Sequence, residues 1–160
     1  METIITAATV LSMFMNLSND VNAPYYYHAD VENNQVKTLY VYNDNGGQLG
    51  ARLSYHYTYD EEGRLVSKVA YRHDGLDGQE KPSFRLDYAY NAEGYSVERS
   101  EWNAEKRCFD KARSKTEYVG TMENMVAVTN YEWSEEQEAM QKKESFLVWG
   151  NHDDFLLASK

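Results

Sequence analysis

The sequence has little cysteine, little proline and no hydrophobic run long enough to cross a membrane. With one Cys and two Pro in 160 residues, the chain can form no internal disulfide, and Cys108 alone cannot build a cysteine-based zinc site. We expect Cys108 to be a small buried residue. The uncharged run over residues 4–17 is shorter than the roughly 20 apolar residues that a membrane-spanning helix needs.

Basic residues are also scarce. The 16 Lys and Arg stand against 26 Asp and Glu, for a formal net charge of −10. An acidic surface repels phosphate groups, and no cluster of Lys and Arg is present that could release counterions from a nucleic acid. We therefore expect no nucleic-acid binding and no attachment to anionic membranes. Aromatic residues are abundant at 14% of the chain, which favours a strand-rich fold.

Residues 1–23 are predicted to be a signal peptide. The run over residues 4–17 is apolar nearly all round a helix, and small or β-branched residues, Val21 and Ala23, precede a candidate cleavage position. No basic residue precedes Lys37, which leaves a second interpretation, an N-terminal helix that packs on the domain. Residues 24–160 are predicted to form a single β domain.

One unit recurs from residue 36 onward. An alternating stretch ends in an aromatic residue, and a four-residue polar turn follows that opens with Asp, Asn or Ser and often closes with Gly. This is the signature of a type I turn. The aromatic residues before these turns are Tyr42, Tyr59, Tyr90, Trp102 and Trp133. The pattern predicts an all-β protein, an antiparallel meander of about eight strands that forms a curved sheet or a two-layer sandwich.

Two segments, 104–115 and 134–144, are rich in helix-forming residues. They offer few apolar side chains that could pack on a core. A full helix in either segment would therefore be weakly stabilised. We predict that both are long or partly helical connections between neighbouring strands.

Alternation within the strands separates two faces. In residues 52–59, Leu53 and the three following tyrosines point one way, and the polar side chains point the other. The aromatic side is explained either by core packing or by an open surface that stacks on a glycan or on a protein partner. The candidate binding residues are Tyr55, Tyr57, Tyr59, Tyr88, Tyr90, Trp102 and Trp133.

The segment YTYDEEGRL at residues 57–65 resembles the YD repeat of Rhs-type bacterial shell proteins. Weaker copies start at Tyr40 and Tyr88. With its short leader and irregular YD-like hairpins, the whole chain is similar to a family of small exported Bacteroidetes proteins known as a domain of unknown function. The resemblance implies export and an antiparallel β fold, and it brings no catalytic residues.

Titratable residues give no motif for catalysis or for a transition metal. His56, His73 and His152 lack the spacing that brings two imidazoles to one metal ion, so we expect surface histidines. The loop around Asp74, Asp77 and Glu80 holds candidate calcium ligands, but it lacks the order of a calcium loop. We predict no catalytic residue, no cofactor and no metal outside that candidate.

The sequence therefore predicts a non-catalytic module, secreted or periplasmic, that binds a glycan or a protein at the cell surface through its Tyr and Trp residues. One alternative is a glycan-directed hydrolase, which would need only two paired carboxylates. Another is a structural or assembly protein whose sheets pair edge to edge or face to face, as in a homodimer. No membrane span is expected after leader removal.

Overall fold

The fold was analysed in a computed structural model, which describes residues 4–22, 24–44, 46–74, 78–122 and 124–149. Within these ranges the chain has one helix and ten strands. They are α1 (Ala7–Ser18), β1 (Tyr26–Glu32), β2 (Gln35–Asp44), β3 (Leu49–Tyr59), β4 (Leu65–His73), β5 (Glu80–Tyr90), β6 (Gly94–Asn103), β7 (Cys108–Phe109), β8 (Ser114–Met122), β9 (Met125–Ser134) and β10 (Ala139–Trp149). No helix in these ranges is both long and apolar enough to cross a membrane.

The strands form an antiparallel meander, as predicted. Their order is β1-β2-β3-β4-β5-β6-β8-β9-β10, and β7 pairs with β6. The two strands that the turn pattern missed are β1 and β7. Strand β1 turns into β2 through Asn33 and Asn34, both at positive φ. This two-residue hairpin turn differs from the predicted four-residue turns that open with Asp, Asn or Ser.

The chain divides into two compact units. The N-terminal unit is Ile5–Phe84, and the C-terminal unit comprises Met1–Ile4 and Arg85–Lys160. Strand β5 contributes residues to both. The single domain over residues 24–160 stays a prediction.

The turn chemistry agrees with the prediction. At the end of β3, Asp60 Oδ1 accepts hydrogen bonds from the backbone amides of Glu62 (3.0 Å) and Arg64 (2.9 Å). After β5, Asn91 Oδ1 accepts from the amides of the second and third residues that follow, at 2.8 and 3.0 Å. After β6, Asn103 Oδ1 does the same at 3.1 and 3.0 Å. Side-chain oxygens thus close three corners of the meander.

The predicted connections are confirmed only in part: residues 104–113 do form a long connection between the paired strands β6 and β8, but neither connection is helical and the one after β9 is short. Residues 104–107 form a turn that leads directly into β7, and the turn after β9 is only residues 135–138. Each turn ends at a residue with positive φ, Arg107 (53°) and Glu138 (48°). Strand pairing outweighs the helix propensity of both segments. A short helix with few packing contacts is only marginally stable, whereas a β-strand gains backbone hydrogen bonds with the strand next to it.

The N-terminal segment is integrated into the N-terminal unit. Thr6 caps α1, since its hydroxyl accepts from the Thr9 amide at 3.3 Å. The Leu65 amide donates to the Ile5 carbonyl, and the Ala7 amide donates to the Gly63 carbonyl, both at 2.8 Å. Helix α1 packs against β1 and β2, in agreement with the second interpretation of this segment. Removal of residues 1–23 stays a prediction.

A β-bulge in β2 determines which of its side chains face the core of the N-terminal unit. Asp30 pairs with Thr38 but Val31 pairs with Val36, so Lys37 is an extra residue in β2. Because of this shift, Val36 joins Leu39 on one face of the sheet rather than the opposite one. Both side chains are buried. A strict alternation would have placed them on different faces.

The core of the C-terminal unit is built from tyrosine and valine. Tyr88, Tyr95, Val126 and Val128 are buried. Gly94 of β6 lies against the backbone of Tyr118 in β8, and a Cβ atom there would overlap the Tyr118 carbonyl. Strands β6 and β8 therefore require glycine at this position. Cys108, expected to be buried, is exposed in the two-residue strand β7, because a strand this short has no second layer over it.

We predict that Asp60→Ala lowers the melting temperature and that the loss shrinks in acid. Hydrogen bonds from the Arg64 backbone and side chain hold the pKa of Asp60 below its usual value. The charged carboxylate therefore stabilises the fold above the ordinary Asp pKa, and this stabilisation disappears as the pH falls through the lowered pKa. Thermal unfolding followed by circular dichroism over a pH series measures the difference.

The matched control is Glu61→Ala, the neighbouring exposed carboxylate. It should change the melting temperature little at any pH. A loss for Asp60→Ala that stayed constant down to strongly acidic pH, or that Glu61→Ala reproduced, would contradict this account of the corner.

Candidate functional site

The predicted binding residues of the N-terminal unit lie in or near its core. Tyr55 pairs with Leu39 and Ala70 across the strands, and Tyr57 is only 6% exposed. The Tyr59 hydroxyl donates to the Val36 carbonyl at 2.8 Å. Burial raises the pKa of Tyr59. Tyr57 has almost no surface left for a ligand, and the Tyr59 hydroxyl is used inside the fold.

Two further predicted residues belong to an aromatic cluster in the C-terminal unit. The ring centroid of Tyr95 lies 6.4 Å from that of Tyr88 and 5.9 Å from that of Tyr90. Tyr95 and Tyr118 stack at 4.6 Å with an interplanar angle of 15°. Burial raises the pKa of Tyr88 and of Tyr95. Core packing, the first of the two explanations for the aromatic side, accounts for this cluster.

Trp102 and Trp133 lie closer to solvent, and both are partly exposed. The Trp102 ring meets Phe109 of β7 edge to face, with centroids 5.1 Å apart. This contact anchors the short strand β7 on β6. Trp133, one of the seven predicted residues, lines a cleft.

The Trp133 cleft has a volume of about 290 Å³. Trp133 is held in place because its backbone amide donates to the Arg113 carbonyl at 2.8 Å. Its indole Nε1 lies 3.4 Å from Glu135 Oε2. The ammonium group of Lys111 lies over the ring, 3.9 Å from its centroid. The cleft is lined by Lys106, Asp110, Lys111, Ala112, Arg113, Trp133 and Glu135.

Three cations face two carboxylates in the Trp133 cleft. Lys106 Nζ lies 3.2 Å from Asp110 Oδ1, and Arg113 pairs with Glu135. Lys111 has no carboxylate partner in the described part of the chain. Hydrogen bonds from Asn103 and Lys106 lower the pKa of Asp110. Asp110 is therefore ionised at neutral pH and can accept hydrogen bonds, but it cannot serve as a proton donor.

A second polar cluster lies in the N-terminal unit. Strand register places one residue from each of β1, β2, β3 and β4 in a row on the same face. These residues are His28, Tyr40, Ser54 and Tyr71. His56 and His73 follow two residues after Ser54 and Tyr71, so they share this face. Three of the four histidines in the chain thus lie on one face. His56 and His73 come close together there, although their spacing in sequence led us to expect scattered surface residues.

Glu80 is the centre of this histidine cluster. Its Oε1 accepts a hydrogen bond from the Ser54 hydroxyl at 2.8 Å. The same oxygen lies 3.4 Å from His56 Nε2 and 3.5 Å from His73 Nε2. Partial desolvation would raise the pKa of Glu80, but the contacts with Ser54 and His56 outweigh it and the pKa is lowered. Ser54 is completely buried, so Glu80 satisfies a hydroxyl that water cannot reach.

The geometry of the histidine cluster does not match a catalytic triad. In a triad the serine and the carboxylate contact different nitrogens of the histidine ring. Here Ser54 Oγ (3.1 Å) and Glu80 Oε1 (3.5 Å) both lie at Nε2 of His73. No group of three or more His, Cys, Asp or Glu residues in the described ranges could hold a metal ion. The cluster is a hydrogen-bonded network within the sheet.

The candidate calcium ligands take separate partners. Asp74 pairs with Lys81 at 2.7 Å, and Glu80 accepts from Ser54. Asp77 lies outside the described residues. The fourth histidine, His152, also lies outside them.

One sequence signal could have revealed the histidine cluster. Ser54 and His56 are two residues apart in β3, as are Tyr71 and His73 in β4, and the predicted turn at 60–63 joins the two strands. Residues at equal distances from a hairpin turn face each other when the register is known. The bulge that pairs Tyr59 with Leu65 shifts that register by one residue, and the sequence gives no sign of it.

The family of unknown function DUF3836 matches residues 1–120 of the chain. The chain belongs to the DUF3836 family. This agrees with the expected family of unknown function, while a relation to Rhs-type repeats stays a prediction. No curated protein matches the chain. In this DUF3836 protein, the family match ends within β8, so the Trp133 cleft combines residues inside the matched region with Trp133 and Glu135 beyond it.

Solved structures support the fold of the DUF3836 protein. A Bacteroides fragilis protein of unknown function is similar with a TM-score of 0.69 at 21% identity, over 79% of this chain and 94% of the other. A DUF3836 family protein from Bacteroides vulgatus is similar with a TM-score of 0.52 at 18% identity, over 54% of this chain and 89% of the other. At these identities the likeness shows the fold alone.

We predict that Glu80→Ala lowers the free energy of unfolding by about 1–3 kcal/mol, because the network loses the carboxylate that Ser54, His56 and His73 share. Urea unfolding of the purified protein measures the change. Glu93→Ala is the matched control, since Glu93 lies exposed in the turn before β6. It should change the free energy by less than about 0.5 kcal/mol. Equal effects of the two variants would show that Glu80 has no structural role.

Proposed function

We propose that this DUF3836 protein is a non-catalytic module that binds an acidic glycan in the Trp133 cleft. The observation that carries the proposal is the position of Lys111, a cation over the face of a partly exposed tryptophan, with no carboxylate partner in the described ranges. Such a cation is available to the carboxylate or sulfate of a sugar.

The aromatic ring supplies the second half of the site. Clefts that bind small molecules combine an apolar surface with a few polar groups that fix the orientation of the ligand. Trp133 is partly exposed and offers apolar ring surface beside Lys111, and Asp110 and Glu135 offer acceptors for sugar hydroxyls. A volume of about 290 Å³ leaves room for one or two sugar rings.

Local charge favours an acidic ligand over a neutral one. The chain carries a net charge of −10, yet the Trp133 cleft has more cations than carboxylates. An acidic glycan would meet Lys106, Lys111 and Arg113 there, and the surrounding negative surface would disfavour its binding elsewhere. A protein partner has less support, because the cleft is small and most of the residues that line it are charged.

The carboxylates support binding rather than hydrolysis. A glycosidase needs a general acid whose raised pKa keeps it protonated near neutral pH. The pKa of Asp110 is lowered, and Glu135 is held by Arg113. In the described ranges, every carboxyl group with a resolved shift has a lowered pKa, namely Asp60, Glu80, Asp110 and Glu117.

We predict that Trp133→Ala weakens binding of a soluble acidic oligosaccharide by about tenfold or more, which corresponds to about 1.4 kcal/mol. The loss follows from removing the stacking surface and the support of Lys111. Isothermal titration calorimetry with uronate and sulfated oligosaccharides measures it. The matched control is Trp149→Ala, a more exposed tryptophan in the same unit that lies outside the cleft.

Three outcomes would overturn the proposal. Wild-type protein that binds no acidic oligosaccharide in such a series contradicts it directly. So does an equal loss for both tryptophan variants. Release of reducing ends from the oligosaccharide during the titration would indicate the hydrolase alternative instead.

We also propose that the protein acts outside the cytoplasm, secreted or periplasmic, after loss of residues 1–23. The uncharged run over residues 4–17 and the small residues before Pro24 support export. In this proposal, helix α1 packs on β1 and β2 only in the uncleaved chain. Cleavage would remove Ile5 and Val10 from the core and uncover apolar side chains of β2.

We predict that mature protein purified from its native cell begins near Pro24 and is found in the periplasm or the medium. Cell fractionation followed by N-terminal sequencing measures both. Protein that begins at Met1 and remains in the cytosol would contradict export and would indicate that α1 is a permanent part of the fold.

A further inference from the structure

The arginine of the Trp133 cleft is its strongest anion-binding group, and it is already occupied. A guanidinium binds a carboxylate or a sulfate through paired hydrogen bonds, whereas the ammonium group of a lysine is a single point of charge. In the structure the guanidinium of Arg113 contacts the carboxylate of Glu135. Lys111 lies over the Trp133 ring and has no carboxylate partner in the described ranges. An acidic ligand therefore meets Lys111 free and Arg113 held by Glu135.

The Glu135 carboxylate touches two residues that the proposed ligand would use. Its Oε1 contacts Nη2 of Arg113, and its Oε2 lies 3.4 Å from the indole Nε1 of Trp133. A carboxylate in this place is the same chemical group as the acid of a uronate sugar. Glu135 thus satisfies Arg113 in the way that the acid of a bound sugar would satisfy it.

The contact between Arg113 and Glu135 is one that a ligand can replace. The two side chains are 64% and 73% exposed, and an exposed ion pair contributes little free energy because water and salt screen it. Glu135 opens the turn between β9 and β10, and the residue pairs of these strands end at Ser134 and Ala139. The side chain of Glu135 can therefore leave Arg113 without breaking a residue pair of the two strands.

The other carboxylate of the cleft is held more firmly. Asp110 accepts hydrogen bonds from Asn103 Nδ2 at 3.0 Å and from Lys106 Nζ at 3.2 Å. Asn103 ends β6 and Lys106 lies in the turn that follows, so these bonds fasten the connection that carries β7. Asp110 is therefore a fixed part of the cleft, and Glu135 is the carboxylate that can give way.

We infer that Glu135 is an internal competitor for the acidic ligand of the Trp133 cleft: its carboxylate holds Arg113 in the free protein, and the acid group of a bound sugar replaces it there. This inference rests on the proposed glycan binding. Because the ligand has to displace a group of its own charge, Glu135 lowers the affinity of the cleft for acidic sugars. Once it has left Arg113, Glu135 is free to accept a hydrogen bond from a sugar hydroxyl.

Glu135→Gln tests the inference, because an amide keeps an oxygen that accepts hydrogen bonds but has no charge to hold the guanidinium. Isothermal titration calorimetry of the full chain with a uronate oligosaccharide should show binding about two- to fivefold tighter than in wild type, the range that an exposed ion pair contributes. The neutral methyl ester of the same oligosaccharide should show no gain. The matched control is Glu136→Gln, the next exposed residue of the same turn, which does not line the cleft and should change the affinity little.

A double-mutant cycle separates competition for Arg113 from a general effect of charge. In an Arg113→Gln background, Glu135→Gln should give no gain, because no guanidinium is left to release. Independent effects of the two substitutions would mean that Glu135 does not act through Arg113. Circular dichroism verifies that each variant is folded.

The results distinguish a failure of this inference from a failure of the proposed function. Wild-type protein that binds the uronate oligosaccharide, with Glu135→Gln binding no more tightly, would overturn the inference and leave the glycan site standing. An equal gain for Glu136→Gln, or a gain that persists in the Arg113→Gln background, would also overturn the inference alone. If neither wild type nor Glu135→Gln binds the oligosaccharide, the proposed glycan binding is wrong and the inference falls with it.

Discussion

The structure depends on one local interaction, the hydrogen bonds from backbone amides to the side-chain oxygen that opens a turn. Asp60, Asn91 and Asn103 each accept two such amides, which fixes the corner and with it the start of the next strand. An antiparallel meander has no crossover connections, so the position of each strand follows from the corner before it. Interactions made within four residues therefore fix three corners of the ten-stranded meander.

Because these turn interactions involve only neighbouring residues, the sequence predicts much of the fold. The turns after Tyr59, Tyr90 and Trp102 are visible because their signal lies in a few consecutive residues. Strand β1 was missed because its turn uses Asn33 and Asn34 at positive φ, a different chemistry. The segment from Ser134 has a strong helix composition, yet it forms a tight turn and an edge strand, because pairing with β9 outweighs intrinsic propensity.

The candidate sites were harder to predict because they depend on register. Bulges next to Lys37 and Tyr59 shift the pairing by one residue, and a shift of one residue moves a side chain to the other face of a sheet. Alternation alone left two explanations for the tyrosines, core packing or an open binding surface. In the structure Tyr57 and Tyr88 are buried, whereas His56 and His73 converge on Glu80 from neighbouring strands. The sequence named Trp133 as a candidate binding residue but not Lys111, which lies over its ring and comes from a connection that was expected to be long or partly helical.

Amide hydrogen exchange measured by NMR tests the role of the corners most directly. The amides of Glu62, Glu93 and Glu105 donate to the side-chain oxygen two residues earlier, so they should exchange more slowly than the amides of Glu61, Ala92 and Ala104, although all six residues are exposed. Equal exchange within each neighbouring pair would mean that the side chains do not hold the turns, and would contradict the account of how this sequence specifies its meander.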